Sequence, residues 1–298
     1  MRVMILTLIA FSSAAAAQTA PKVPDYAATV VTAPPAALKL DRFYSRYVDA
    51  AGIPVAASAK VPPVALLFAR DVIRDMLVER PDLRHWLIAR GYRVAVMAPE
   101  EGTMDLPEQR DWKKPKADDP ALTVCERKHY DERIGRLTDA EYWNGRARGM
   151  GGKLTSGAEE NLLGLDHDRY RGENIFVHEF SHAILDAVIE ADPLLYQRVE
   201  RAYAAALAGG RWKGEYAATT VQEYWAEGTQ FWFNSNKVAR FGDVVVLSDS
   251  DLVRYDPDLA DVLRAVYGER HRLATDVFWN SPARVPPGGP PTFTAEVC

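Results

Sequence analysis

The chain has 298 residues, 48% hydrophobic and 26% charged, with a formal net charge of −5 and two cysteines. That composition excludes disorder, collagen-like repeats and a disulfide-dense scaffold as descriptions of the whole. There is no basic excess and no short window rich in Lys and Arg, which argues against a nucleic-acid partner, and no apolar run reaches the roughly 18 residues of a membrane-spanning helix.

The N-terminus begins Met1-Arg2, continues with an apolar stretch from Val3 to Phe11 and ends in the small-residue tract Ala15-Ala16-Ala17. A charged n-region, a short h-region and an A-x-A site form the layout of a secretory signal peptide over residues 1–17. Periplasmic or secreted location is expected, with no stable membrane insertion after cleavage. Disulfides persist in such compartments, so Cys125 and Cys298 are either the one possible bridge or two free thiols. Residues 18–40, rich in Ala, Pro and Thr, read as an extended lead-in. Residues 282–298, with Pro282, Pro286, Pro287, Pro290 and Pro291, read as a Pro-rich extended tail. One domain over 41–281 remains, with no internal repeat or linker.

Within it, apolar residues at helical spacing (Leu66, Leu67, Val72, Ile73, Met76, Leu77) predict a helix over 63–80, stopped by Pro81. A second helix over 82–90 closes at Gly91, and 93–98 is a short strand. Residues 100–157 mix charges, Pro and Gly and carry no clear period. Three helices follow, at 174–190, from Asp192-Pro193 to Gly209-Gly210, and at 220–233. Helices on a small sheet make an α+β fold.

The chemistry lies in the first of these three helices, where His178-Glu179-Phe180-Ser181-His182 is an H-E-x-x-H sequence. Residues four apart on a helix lie about 40° apart around the axis, so His178 and His182 share one face and can grip one ion, with Glu179 bordering it. Phe176, Phe180, Ala183, Ile184, Ala187 and Val188 form an apolar stripe on the far side, so one face packs and the other presents ligands. An amphipathic surface helix with histidines merely facing water is the plain alternative. A catalytic zinc site needs a third protein ligand and a place for water. Leu185 and Val188 stand where a metzincin requires Gly and His, which leaves a Glu from a later helix.

The helix at 220–233 carries Glu223, Glu227, Gln230 and Asn234 in one stripe, surrounded by Val221, Tyr224, Trp225, Phe231, Trp232 and Phe233. Its carboxylates must face solvent, a cation or hydrogen-bond donors. If Thr219 caps this helix, Gln222 completes the capping box; if Thr220 caps it, Glu223 completes the box and Glu227 is left as ligand. Other acidic clusters, Glu159-Glu160-Asn161 and Asp166-His167-Asp168, read as solvated turns rather than metal loops. His85, His129 and His271 have no spacing partners.

The pentapeptide, followed by Glu223-Tyr224-Trp225-Ala226-Glu227 and with Tyr216 seven residues before Glu223, resembles the catalytic region of anthrax lethal factor and related gluzincin metallopeptidases. The resemblance covers 174–233. It implies a zincin-like fold in which His178, His182 and Glu223 bind zinc, Glu179 is the general base and Tyr216 assists at the tetrahedral intermediate. Glu227, one turn beyond Glu223, is then placed to hydrogen-bond a ligating imidazole. The leading expectation is an exported zinc metallopeptidase acting on a peptide or protein substrate. A zinc hydrolase of another amide, such as a cell-wall peptide, and a non-catalytic secreted binding protein are the alternatives. An open, substrate-long cleft favours the first and a closed pocket the second, and an intact Glu179 argues against the third.

Overall fold

The computed structural model describes residues 30–120, 122 and 124–288. The expected signal peptide, most of the lead-in, the tail beyond residue 288 and Cys298 lie outside the described residues. Strands β1 (Arg46–Ala50) and β2 (Ile53–Ala57) pair antiparallel across a two-residue turn, Ala51-Gly52, with φ of 53° and 96°. Two positive φ angles give the hairpin the twist of its strands. Alanine at a position usually held by Asn or Gly hides this turn from the sequence pattern.

Helices α1 (Pro63–Leu77) and α2 (Pro81–Ala89) carry the chain over to β3 (Arg93–Met97), parallel to β2. Each starts on proline, whose fixed φ suits the first helical position. Both helices and β3 lie where the spacing places them. The chain then leaves the sheet. Helix α3 (Val124–Lys128), a π-helical turn at Asp131–Gly135 and α4 (Asp139–Arg146) gather Leu122, Ile134 and Tyr142 into a separate small cluster. Strand β4 (Leu154–Ala158) returns parallel to β3 and completes the order β1-β2-β3-β4. Side chains alternate across the sheet: Val55, Ala57, Val94 and Val96 join the main core, while Ala56, Ala95 and Met97 meet Tyr44 and Leu106 on the other side.

A short α5 (Glu159–Leu162) precedes α6 (Ile175–Ala191), which packs on β4, α2, α7 (Pro193–Ala208) and α8 (Val221–Trp232). Phe176, Phe180, Ala183, Ile184, Ala187 and Val188 are all buried there. The hairpin β5 (Ala239–Phe241) and β6 (Val244–Val246), then α9 (Asp249–Tyr255) and α10 (Pro257–Tyr267), close the described body. The fold is α+β, mostly helical with a small mixed sheet.

Several local expectations are corrected. Glu159, Glu160, Asn161 and Asp168 are buried, not solvated. Asn161 Nδ2 donates to Asp168 Oδ2 at 2.8 Å and to the Glu173 carbonyl, and Asn161 Oδ1 accepts from the Ile175 amide, so this network sets the start of α6. The end of the lead-in is tied down: Thr32 and Tyr47 exchange backbone hydrogen bonds of 2.9 and 2.8 Å. The start of the Pro-rich tail is not extended. Pro282–Arg284 forms a 3-10 turn, and the buried Arg284 donates to the carbonyls of Asn236 (2.7 Å) and Leu247. Cys125 is buried and disulfide-bonded.

Candidate metal centre

Helix α6 is held at both ends of its H-E-x-x-H stretch. Asn174 caps it, accepting from the Val177 amide, and Asn174 Nδ2 donates to Asp276. Inside the motif, Trp225 of α8 donates its indole N–H to the Ser181 carbonyl at 3.0 Å. That bond locks the two helices in register, so the polar stripe of α8 faces the histidines.

Among the described residues, His178, His182 and Glu223 are the one group of His, Cys, Asp or Glu side chains arranged to hold a metal ion, with their ligand atoms all within 4.8 Å of one another. Glu223 Oε2 lies 2.9 Å from His178 Nε2 and 3.7 Å from His182 Nε2. Tetrahedral bonds of about 2.1 Å put neighbouring donors roughly 3.4 Å apart. Two imidazoles and one carboxylate at these separations suit zinc in both chemistry and spacing.

The cap of α8 combines features of both alternatives that the sequence leaves open. Thr220 is the N-cap, its hydroxyl accepting from the Glu223 amide at 3.1 Å. The Glu223 carboxylate does not close the box; it turns to the histidines. Glu227 lies deeper, with Oε1 3.6 Å from His178 Nδ1 and Oε2 accepting from Asn236 Nδ2 at 2.7 Å. Gln230 is closer to the same nitrogen, with Oε1 at 3.0 Å. The sequence stripe contained Gln230, but an uncharged amide among core aromatics carried no signal for this contact. Asn234, its last member, instead bonds Asp249 and the His271 carbonyl.

Tyr216 lies on a 3-10 turn before α8, about one-third exposed (36%), and its hydroxyl helps to lower the Glu223 pKa. Its ring stacks 6.5 Å from that of His178. Glu179 lies beside the trio, under a strap formed by residues 147–151. A Cβ on Gly149 would stand 2.9 Å from Glu179 Cγ, and one on Gly151 2.8 Å from His182 Cδ2, so only glycine lets the backbone pass this close. The Gly151 amide acts on the Glu179 carboxyl by lowering its pKa. Met150 exchanges backbone hydrogen bonds with Ser156, which attaches the strap to the edge of β4. The strap falls in the stretch without readable periodicity; the run Gly149-Met150-Gly151-Gly152 is its one trace in the sequence.

Burial and crowding of carboxylates shape the electrostatics. Burial pushes the Glu179 carboxyl up to about 7, with the Glu223 charge adding to it and His178 and the Gly151 amide opposing. Burial likewise pushes Glu227 up to about 7. For Glu223 burial is outweighed by the hydrogen bond and charge of His178, which hold its pKa below the usual range. The same contact, with Glu179 and Glu227, overcomes burial to raise His178. Burial and then the His178 charge push His182 down to about 4. The close His178–Glu223 contact thus favours the charged form of both groups.

All of these groups line an open cleft of about 860 Å³. Its walls are the strap, α6, the segment from Trp212 to Tyr216, α8 and residues 236–239. Lys237 pairs with Glu173 at 2.9 Å on the wall that Arg284 supports from behind.

Fold and side chains together define a helical α+β protein with a His-His-Glu centre in an open cleft. No protein-family model and no curated protein matches the chain. Among solved structures it is similar to the Pro-Pro endopeptidase PPEP-2 from Paenibacillus alvei, with a TM-score of 0.44 and 14% identity, covering 71% of this chain and 96% of that one. A likeness that weak bears on neither fold nor activity. No helix among the described residues is long and apolar enough to cross a membrane.

Proposed function

We propose that this chain is an exported zinc-dependent metallopeptidase of gluzincin type. The observation that carries the reading is the convergence of His178, His182 and Glu223 within 4.8 Å, with Glu179 beside them on an open cleft. The likeness to lethal factor belongs to this reading and rests on the motifs; export rests on the N-terminal layout and agrees with a disulfide-bonded Cys125.

Zinc held by the trio supplies Lewis acidity to a scissile carbonyl and acidifies a water. Glu179 takes the proton from the attacking water and delivers it to the leaving amine, a task suited to a carboxyl whose pKa stands near 7. Tyr216, at the cleft surface beside the trio, donates a hydrogen bond to the developing oxyanion. Gln230 accepts from His178 Nδ1, leaving Nε2 to face Glu223 and His182. The strap keeps the Glu179 carboxylate from turning away. A cleft open along its walls suits an extended peptide better than a small closed-pocket amide, so peptide or protein is the substrate class. The net charge of −5 favours no nucleic-acid partner.

Metal analysis of the purified mature protein, paired with a broad peptide-library digest with and without chelator, tests the reading. About one zinc per chain and chelator-sensitive cleavage are expected; cleavage that survives complete metal removal would overturn it. N-terminal sequencing of protein from the native host tests export. It should begin at or near Gln18, and an intact Met1 contradicts it.

A further inference from the structure

Arg148 lies in the strap yet points away from the cleft. Its Nε and Nη2 donate to the two carboxylate oxygens of Glu160 at 2.6 and 3.1 Å. Nη2 also donates to the Ala98 carbonyl at 2.9 Å, and Nη1 donates to the carbonyl of Glu101. Ala98 follows β3 directly, and Glu160 sits in the turn of helix that follows β4 directly. Glu101 is itself fixed, accepting from the Ala98 amide at 2.9 Å. The guanidinium therefore spans the ends of the two parallel strands, and the buried Glu160 gives it a bidentate partner in a poorly solvated place.

This fork fastens one side of the strap, and the Met150–Ser156 pair fastens the other. Between and just beyond these anchors lie Gly149 and Gly151, so close to Glu179 and His182 that an added Cβ would stand 2.9 and 2.8 Å from those side chains. At these two positions the strap meets the centre with bare backbone. Its distance from Glu179 is decided by its anchors.

We propose that Arg148 is a positioning residue for the catalytic base: by pinning the strap to the ends of β3 and β4, it sets how closely the Gly149 and Gly151 backbone packs on Glu179 and His182. The proposal rests on the peptidase reading for its catalytic consequence; the clamp itself is independent of it. Lysine cannot replace this arginine, because one ammonium cannot meet a bidentate carboxylate and two carbonyls in a fixed fork.

The test compares Arg148→Gln, Arg148→Lys, Glu160→Gln and the double variant Arg148→Gln/Glu160→Gln with the unchanged full chain. It measures zinc content, kcat and KM on a cleaved library peptide, and amide hydrogen exchange across 147–152. Arg148→Gln should keep its zinc, lose about 10- to 100-fold in kcat with a smaller change in KM, and exchange faster at Met150 and Gly151 while α6 stays protected. Arg148→Lys should not recover the rate. The double variant should match Arg148→Gln within about twofold, because both changes break one contact. Unchanged exchange in the strap, full recovery by lysine, or a kcat that falls only in step with zinc content would overturn the proposal. Glu160→Gln, which keeps an acceptor, carries the same test with a smaller effect should Arg148→Gln not fold. If the unchanged protein cleaves no peptide, the peptidase reading and the catalytic role of Arg148 fail together, and the exchange measurement still decides whether the clamp exists.

Discussion

Nδ1 of His178 lies 3.0 Å from Oε1 of Gln230, whose Nε2 donates to the Asn174 carbonyl at 3.0 Å. A carbonyl only accepts, so the amide nitrogen must face Asn174 and the oxygen must face the imidazole. His178 is thereby required to carry a proton on Nδ1 and to present Nε2 to the centre. Gln230→Leu removes this constraint, and a fall in zinc affinity of about 10- to 100-fold is expected by chelator competition. Unaltered affinity would mean that the tautomer is set elsewhere.

Glu179 lies against the strap and is not one of the trio. Glu179→Gln should therefore retain about one zinc per chain yet lose hydrolysis, since an amide cannot accept the proton. A fully active variant on the identified substrate would show that another group is the base.

Glu223 and Glu227, one turn apart on α8, meet different nitrogens of His178. Glu223→Ala should abolish stoichiometric zinc at ordinary metal concentrations, whereas Glu227→Ala should weaken binding or activity by about 10 to 100 fold. The reverse order in a metal titration assigns the ligand to Glu227.

Tyr216 touches Glu223 and stands at the cleft surface. Tyr216→Phe should lower kcat by about 10²-fold, with KM and zinc content nearly unchanged, as for loss of one donor used only in the transition state. A KM effect alone would make it a substrate-binding residue.

In the metal-free protein the His178 pKa is raised by its Glu223 contact, so near pH 7 the pair holds a proton that zinc must displace. Zinc affinity should rise about tenfold per pH unit from 6.5 upward and level off once pH passes the raised pKa. Calorimetry at pH 7 in two buffers of different ionisation enthalpy should find about one proton released per zinc. Release near zero would show that His178 is already neutral there.

The sequence by itself determined what period and cap chemistry can express. The i, i+4 pairing of His178 with His182 needs only one helix, and Asn174, the Asp192-Pro193 start and the apolar stripes mark where the helices run. The Glu223/Glu227 stripe was equally local. Tertiary structure decided everything that depends on distance across elements. Thr220 caps α8, yet the Glu223 side chain leaves the cap, because three charged or polar partners on α6 and at Tyr216 outweigh one backbone amide. Gln230 became the neighbour of His178 only when the Trp225–Ser181 bond set the register of α8 on α6. The strap was illegible because its contacts use backbone atoms, which every residue possesses, and its anchor Arg148 finds partners at positions 98, 101 and 160 that no local pattern connects. Glu159 and Glu160 misled for the same reason: charge in a sequence argues for water, and only the converging ends of β3 and β4 reveal that these carboxylates are buried, with a guanidinium already waiting for Glu160.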